Sequence, residues 1–313
     1  MNGLVLSRAY FEEYGRPMLE AQFPAVLPFL AAGLFGSGSE CFGYDDAVSQ
    51  DHDFEPGFCL FLPGEETVSR RDAFLLERAY AGLPKVFHGF ERSRISPVGG
   101  SRHGVLRTAE FFEKTAGTPD GSLSLNQWLS LPEQALAEAT NGELFFDNFG
   151  EVTRIREALR YFPEDVRRKK LAGHLLLMAQ AGQYNYARCL RHGEPAAAQL
   201  AAGEFVQNAL SVLFLLGRRY RPYYKWVFRA LLELPEGGLY SARLEYLLTS
   251  GNGPAEAGKK AAVIEEISAE FAALLRAQGL SVLEGAELER HAYAVNDSVR
   301  DSGLRNLSIL AAV

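Results

Sequence analysis

Cysteine is scarce in this chain: the three present in 313 residues, Cys41, Cys59 and Cys189, lie far apart and form no Cys-x-x-Cys pair. That spacing suggests neither a disulfide framework nor a thiolate zinc site, and a reducing compartment fits best. Positive charge is also in deficit, with 32 Lys and Arg against 39 Asp and Glu for a net charge of −7. A protein whose main task is to coat nucleic acid needs a net basic face, so that class is disfavoured, although a local basic patch remains open. Long apolar runs are missing near the N-terminus, where the longest, residues 24–36, is too short to span a bilayer and holds Pro24 and Pro28. No basic segment with a small-residue cleavage site precedes it, so the expected location is the cytoplasm, with no membrane partner. Internal repeats and low-complexity tracts are absent.

The chain does have enough apolar residues, 47% against 23% charged, to build a real core. At this length two domains are expected, because single cores stop growing below about 250 to 300 residues. In the first part, residues 7–22 read as a helix ended by the prolines, and Ala31-Ala32-Gly33-Leu34-Phe35 as a first strand. DHDFEPGFCLFL (51–62), GVLRTA (104–109) and ELFFD (143–147) read as further strands. RRDAFLLERAYAG and PEQALAEAT, the latter opened by Pro132, read as helices. From about residue 151 the texture changes, and long segments carry apolar residues at three-to-four spacing, punctuated by Pro163, Pro195, Pro222 and Pro235. The expected fold class is α+β: residues 1–150 form a catalytic domain with a small mixed sheet and flanking helices, and residues 151–313 a helical bundle.

The informative stretch runs from Leu34 to Leu62. It holds a strand, Gly36-Ser37-Gly38-Ser39, eleven residues from Glu40 to Gln50, then Asp51-His52-Asp53. Residues two apart in a strand share a face, so Asp51 and Asp53 would project together. Two adjacent carboxylates repel unless a cation lies between them, and Mg²⁺, which prefers hard oxygen ligands and phosphate, suits that place. Glycine lets the backbone approach a phosphate, and a helix beginning after Gly38-Ser39 would favour an anion. We take Gly38-Ser39 as the phosphate-binding register, because Gly43 then stands where a close helix approach is wanted; Gly36-Ser37 offers the second register. Three other chemistries fail on the same residues. A calcium loop from Asp51, Asp53 and Glu55 would need glycine where Pro56 stands, a metal phosphohydrolase would need a histidine before His52, and GSGSE is not a Gly-x-Ser-x-Gly elbow. The plain alternative is that Asp45, Asp46, Asp51 and Asp53 are turn and capping residues on a solvated loop.

An apolar strand, Gly-Ser, about ten residues and Asp-x-Asp, here LFGSGSECFGYDDAVSQDHDF, resembles the nucleotidyltransferase superfamily of the DNA polymerase beta-like fold. Within that superfamily it resembles the small-molecule branch typified by kanamycin and lincosamide nucleotidyltransferases. The phrases GELFFDNFGEVTRIREALRYFP and RRYRPYYKWVFRAL are also similar to a poorly characterised bacterial branch. The resemblance implies a nucleotidyltransferase domain followed by a helical bundle, with Mg²⁺ and a nucleoside triphosphate held by Asp51, Asp53, Gly38, Ser39 and Ser37. It also implies a third acid on a later strand, acting as ligand or base. Asp147 is the first candidate, Glu143 would share its face in a regular strand, and Glu110 and Glu91 are alternatives; at GVLRTA the chain offers Leu106 and Arg107 instead of an acid. The implied reaction moves a nucleotidyl group to a hydroxyl of a small-molecule acceptor. A protein or tRNA acceptor, and a nucleotide-binding regulator without catalysis, are the other readings.

Two basic clusters stand in the second half. In RRYRPYYKWVFR, Arg221, Lys225 and Arg229 recur every four residues, so a helix would stack three cations; facing a cleft, Lys225 would meet triphosphate, and facing solvent it would be an ordinary surface residue. Arg167-Arg168-Lys169-Lys170 reads as a solvated helix face. His174 and His192 lie in helical segments with no metal-ligand partner, and no arginine and histidine pair makes a convincing RNase signature.

Overall fold

The structure, a computed structural model, describes residues 2–46, 48, 55–92 and 103–313. The segment with Asp51 and Asp53 lies outside these residues. The chain divides into two compact units, residues 1–123 with 131–160, and residues 124–130 with 161–313.

In the first unit, Asn2 caps a helical run by accepting from the Val5 amide. The run continues through α1 (Gly3–Tyr10), a π-helical turn (Phe11–Gly15) and α2 (Arg16–Gln22), and stops before Pro24. There follow β1 (Ala31–Leu34), the single turn α3 (Ser39–Phe42), β2 (Cys59–Leu62) and α4 (Arg70–Ala81), then the short strands β3 (Val86–Phe87) and β4 (Phe90–Glu91). Next are β5 (Gly104–Arg107), α5 (Thr108–Ala116), α6 (Leu125–Ser130), α7 (Glu133–Thr140), β6 (Glu143–Asp147) and α8 (Glu151–Ala158). Of these, α6 belongs to the second unit.

Four strands make one small mixed sheet in the order β5-β2-β1-β6. The strand β1 runs antiparallel to both neighbours, and β2 runs parallel to β5. One face carries Ala32, Leu60 and Leu62 against Leu6, Tyr10 and Phe11 of the N-terminal helical run and Leu76 and Tyr80 of α4. On the other, Phe35 folds back to stack on Phe61 at 4.6 Å, and Phe111 of α5 meets both rings edge-on at 5.2 Å. The sheet is thus apolar on both faces, which is why its central strands read as continuous runs rather than alternating ones. Cys59 is fully inside, and burial pushes its thiol up to about 12, far from a reactive thiolate.

The register between β1 and β6 slips: Ala32 faces Phe146 but Gly33 faces Leu144, so Phe145 is an extra residue. This bulge reverses the parity, and Glu143 and Asp147 come to opposite faces instead of sharing one. The regular-strand expectation for that pair is therefore corrected.

The second unit is helical: α9 (Glu164–Met178) continues through a π-helical stretch (Ala179–Tyr186) into α10 (Ala187–Arg191), followed by α11 (Pro195–Leu216), α12 (Val227–Leu231), α13 (Gly237–Thr249), α14 (Pro254–Ala277), α15 (Leu288–Asp297) and α16 (Ser302–Asn306). Helix α11 is apolar almost all round, and among the described residues it alone is long and apolar enough to cross a membrane; 67% of its most apolar window is buried, as a core helix requires.

The run Arg167 to Lys170 departs from its expected solvated face. Arg167, Lys169 and Lys170 are buried because α9 is enclosed by α11, α15, α16 and α6. Oxygens meet each cation: Arg167 Nε donates to Leu215 O at 2.8 Å, Lys169 Nζ to Asn296 Oδ1 at 2.7 Å and Leu307 O at 2.8 Å, and Lys170 Nζ to Leu129 O at 3.2 Å. A buried cation is tolerated only when so satisfied.

His174 of α9 lies in the same layer. Asn208 Nδ2 donates to Glu204 O and Oε1, which leaves its Oδ1 to accept from His174 Nδ1 at 2.8 Å. Burial, with the nearby charges of Lys170 and Arg221, pulls the imidazole from 6.5 down to about 4 although the Asn208 bond opposes it. The folded state therefore binds this proton less well than the unfolded one. Its contribution is complete above about pH 6.5 and drains as pH falls to 4, by up to about 3 kcal/mol. Urea unfolding of wild type and His174→Gln at pH 7 and pH 5 should show a clearly smaller loss of stability in the variant; equal losses would count against the buried neutral imidazole.

Candidate active site

Beyond Leu34 the chain makes a turn that needs glycine twice. Gly36 and Gly38 both have φ of +122°, a conformation that side chains with a Cβ rarely adopt. Asn141, in the turn before β6, clamps the first of them from both sides: its Oδ1 accepts from Gly36 N and its Nδ2 donates to Gly36 O, each at 2.8 Å. The Cys41 thiol donates to Ser37 O at 3.6 Å. The helical turn α3 ends at Gly43 in the left-handed region, where Gly43 N and Tyr44 N close onto Glu40 O and Ser39 O.

Two expectations change here. A single turn such as α3 has too few aligned peptides to offer an anion a helix field. Gly43 ends that turn, and a Cβ on it would meet nothing within 4 Å, so it is not a site of close approach.

A cavity of about 340 Å³ opens between this turn and α5. Gly36, Ser37, Glu40 and Cys41 line it together with Glu110, Phe111 and Lys114 of α5 and Glu138 of α7. Of the two glycine-serine registers, Gly36-Ser37 is the one on the cavity wall. Gly38 is buried over the Glu40 carboxylate and Ser39 begins α3. Arg107 also reaches the wall, but its Nη1 is occupied by Pro63 O at 2.6 Å and Val68 O at 2.8 Å. Lys114 and Glu110 are exposed on consecutive turns of α5, at the four-residue spacing that puts them side by side.

The four candidates for a third acid separate clearly. Asp147 lies opposite Ala31, at the far end of β1 from the turn, roughly 10 Å away along the strand. Its Oδ1 accepts from Gly150 N at 2.8 Å and its Oδ2 from Thr153 N at 2.7 Å, so it caps α8. Glu143 stands at the correct end, opposite Leu34, but is paired with Arg8 of α1 on the other face. Glu91 is in the separate two-stranded ribbon. Glu110 lines the cavity.

Cys59 pairs with Gly33, so the chain enters β2 at the end of the sheet where β1 gives way to the turn. The described chain resumes there at Glu55, two residues past Asp53, and Glu55 Oε1 contacts Nδ1 of buried His103 at 3.1 Å. Neither Asp51 nor Asp53 lies within the described residues. Among those residues no three His, Cys, Asp or Glu side chains gather closely enough to hold a metal.

The domain of unknown function DUF4037 matches residues 128–227, about a third of the chain. No curated protein matches the chain. A solved structure described as a nucleotidyltransferase-like protein from Exiguobacterium sibiricum 255-15 is similar over 92% of this chain and 80% of that one, at 14% identity and a TM-score of 0.37. At that level the likeness carries no weight for function.

The stack of cations expected from Arg221, Lys225 and Arg229 does not form. Pro222 bars its predecessor from the helical region, the chain runs irregularly to Tyr223, and Tyr224–Trp226 is a 3₁₀ turn before α12. Arg221 is pinned to α11 through Gln207 O at 3.1 Å and Ser211 Oγ at 2.9 Å, while Lys225 Nζ stands 4.5 Å from the Trp226 ring centre. Lys225 belongs to the second unit and the cavity to the first.

Asn141, Lys114 and Arg156 were missed in the sequence. Only Asn141 left a trace there, the Asn-Gly pair that marks a tight turn.

Proposed function

We propose that this chain is a Mg²⁺-dependent nucleotidyltransferase, transferring a nucleotidyl group from a nucleoside triphosphate to a hydroxyl of a small-molecule acceptor. The supporting observation is the cavity in which the glycine-serine turn faces Glu110 and Lys114. Its polar lining is mainly hard oxygens, with the Lys114 ammonium and the Arg107 guanidinium, and its one sulfur, Cys41, is turned to Ser37 O, so the set suits Mg²⁺ and phosphate better than a thiophilic metal. In this reading Asp51 and Asp53 hold the ion, which when bound neutralises phosphate charge. The Gly36 and Ser37 backbone lies against the phosphates, aided by the Ser37 hydroxyl, and Lys114 adds a point charge. Glu110 takes the proton from the acceptor hydroxyl. The acceptor oxygen bonds to the α-phosphorus, the α–β anhydride bond breaks and pyrophosphate leaves.

Incubation with each labelled triphosphate, Mg²⁺ and a size-fractionated lysate tests this directly. Label in small molecules supports the proposal; label in macromolecules moves the acceptor to protein or tRNA, and binding without transfer makes the chain a regulator. Within the site, Glu110→Gln should lower kcat about a hundredfold or more, as loss of a general base does. Asp147→Asn should leave kcat within a few fold while reducing stability by about 1 kcal/mol through the weakened cap. The reverse pattern in the two variants would return the third acid to Asp147.

A further inference from the structure

Arg156 of α8 lies beneath the glycine-serine turn. Its Nη2 donates to Thr140 O at 3.0 Å and to Asn141 O at 2.7 Å, fixing the peptides around the residue whose side chain clamps Gly36. Its guanidinium carbon stands 4.3 Å from the centre of the Phe35 ring, immediately before that glycine. Phe35 stacks in turn on Phe61, so one side chain braces the turn at Phe35 through its ring and at Gly36 through Asn141. The Nη1 atom is buried without a hydrogen-bond partner, an unusual state for a charged donor. Burial lowers the group to about 10, with Cys41 and Glu157 acting in the opposite sense, so it remains charged at neutral pH. Salt bridges among the described residues leave Arg156 out. Holding a charge in such a place is a poor route to stability, since an apolar side chain of similar volume often does as well or better. What the guanidinium offers and an apolar residue cannot is a planar group that lies by the Phe35 ring while its Nη2 donates to two successive carbonyls.

We propose that Arg156 is a positioning residue for triphosphate binding: acting through Asn141 and Phe35, it holds Gly36 and Ser37 in the form that receives the phosphates. This rests on the reading of the cavity given above. Arg156 does not line that cavity, so its effect is on the shape of the turn rather than by contact with the nucleotide.

The test is a double-mutant cycle on Arg156→Ala and Asn141→Ala, read as KM for the triphosphate against kcat, with Arg156→Lys as a variant that keeps the charge but not the planar group that joins Phe35 to the two carbonyls. Each alanine variant should raise KM about tenfold or more, the usual scale for losing a charged hydrogen bond, while kcat stays within a few fold. The double variant should be no worse than either single one, because both break the same linkage. Arg156→Lys should behave like the alanine variant, and added guanidinium at millimolar concentration should lower the KM of Arg156→Ala but not of Asn141→Ala. Unchanged KM in the single variants, multiplicative effects in the double variant, or full function of Arg156→Lys would overturn the proposal. Should Arg156→Ala not fold, Arg156→Lys and Asn141→Ala decide by the same criteria. Wild-type protein that fails to bind triphosphate removes the reading of the cavity itself, whereas binding by wild type and variants alike removes only the role of Arg156.

Discussion

Replacing Asp51 and Asp53 together by alanine is expected to reduce nucleotidyl transfer by about a thousandfold or more, equivalent to some 4 kcal/mol of lost transition-state stabilisation. Both carboxylates are assigned to one ion, and groups that act as a unit fail together, so either single variant should lose nearly as much as the pair. The fold should not suffer. Two like charges, two residues apart in the sequence, are removed. Thermal unfolding of the double variant should therefore match wild type within a few degrees. Transfer within tenfold of wild type would sink the assignment of these two acids.

The second large effect is expected at Gly142, which has φ of +61° directly after Asn141. A Cβ there would come 2.2 Å from Leu34 O and 2.7 Å from Phe35 Cα, both backbone atoms that cannot swing aside. Either β1 or the turn before β6 must move, and the strained conformation adds its own cost, so Gly142→Ala should lose about 3 kcal/mol or more. The displacement also falls on the segment clamped by Asn141, and transfer should drop with stability. Gly43→Ala is the control, since Gly43 has φ of +71° but open space around it. It should cost only about 1 kcal/mol, the conformational penalty alone. Urea midpoints of the two variants measure the difference; equal losses would mean that the close approach of β1 to Gly142 is not what the glycine serves.

Much of the fold was legible because the local signals were strong. The apolar runs at Ala31–Leu34 and Glu143–Asp147 became strands, and the periodic segments at Arg70–Ala81 and Glu133–Thr140 became helices. The long apolar stretch of α11 had the composition of a core helix. What could not be read depended on neighbours distant in sequence. A bulge at Phe145 adds one residue against β1, and nothing in ELFFD announces it; that one residue put Glu143 and Asp147 on opposite faces. The basic run at Arg167 looks like a surface because a pattern along one helix does not say how many others surround it. Arg221, Lys225 and Arg229 had helical spacing, but Pro222 stood inside it and carried more weight than the period.

The site shows the same division. Gly36, Ser37 and their glycine neighbours were visible as a turn, and the structure puts the first pair on the cavity. Glu110 was one acid among four until α5 brought it across from that pair. Arg156 gave no sign at all, because its contacts with the carbonyl oxygens of Thr140 and Asn141 and with the Phe35 ring exist only in the fold.

Calorimetric titration of the intact protein with a non-hydrolysable nucleoside triphosphate, with Mg²⁺ and again after chelation, reaches the central claim most directly. The account predicts saturable one-to-one binding that needs the ion and is lost when Asp51 and Asp53 are both alanine. Binding that is indifferent to chelation and to both substitutions, or no binding by the wild-type protein, would contradict it.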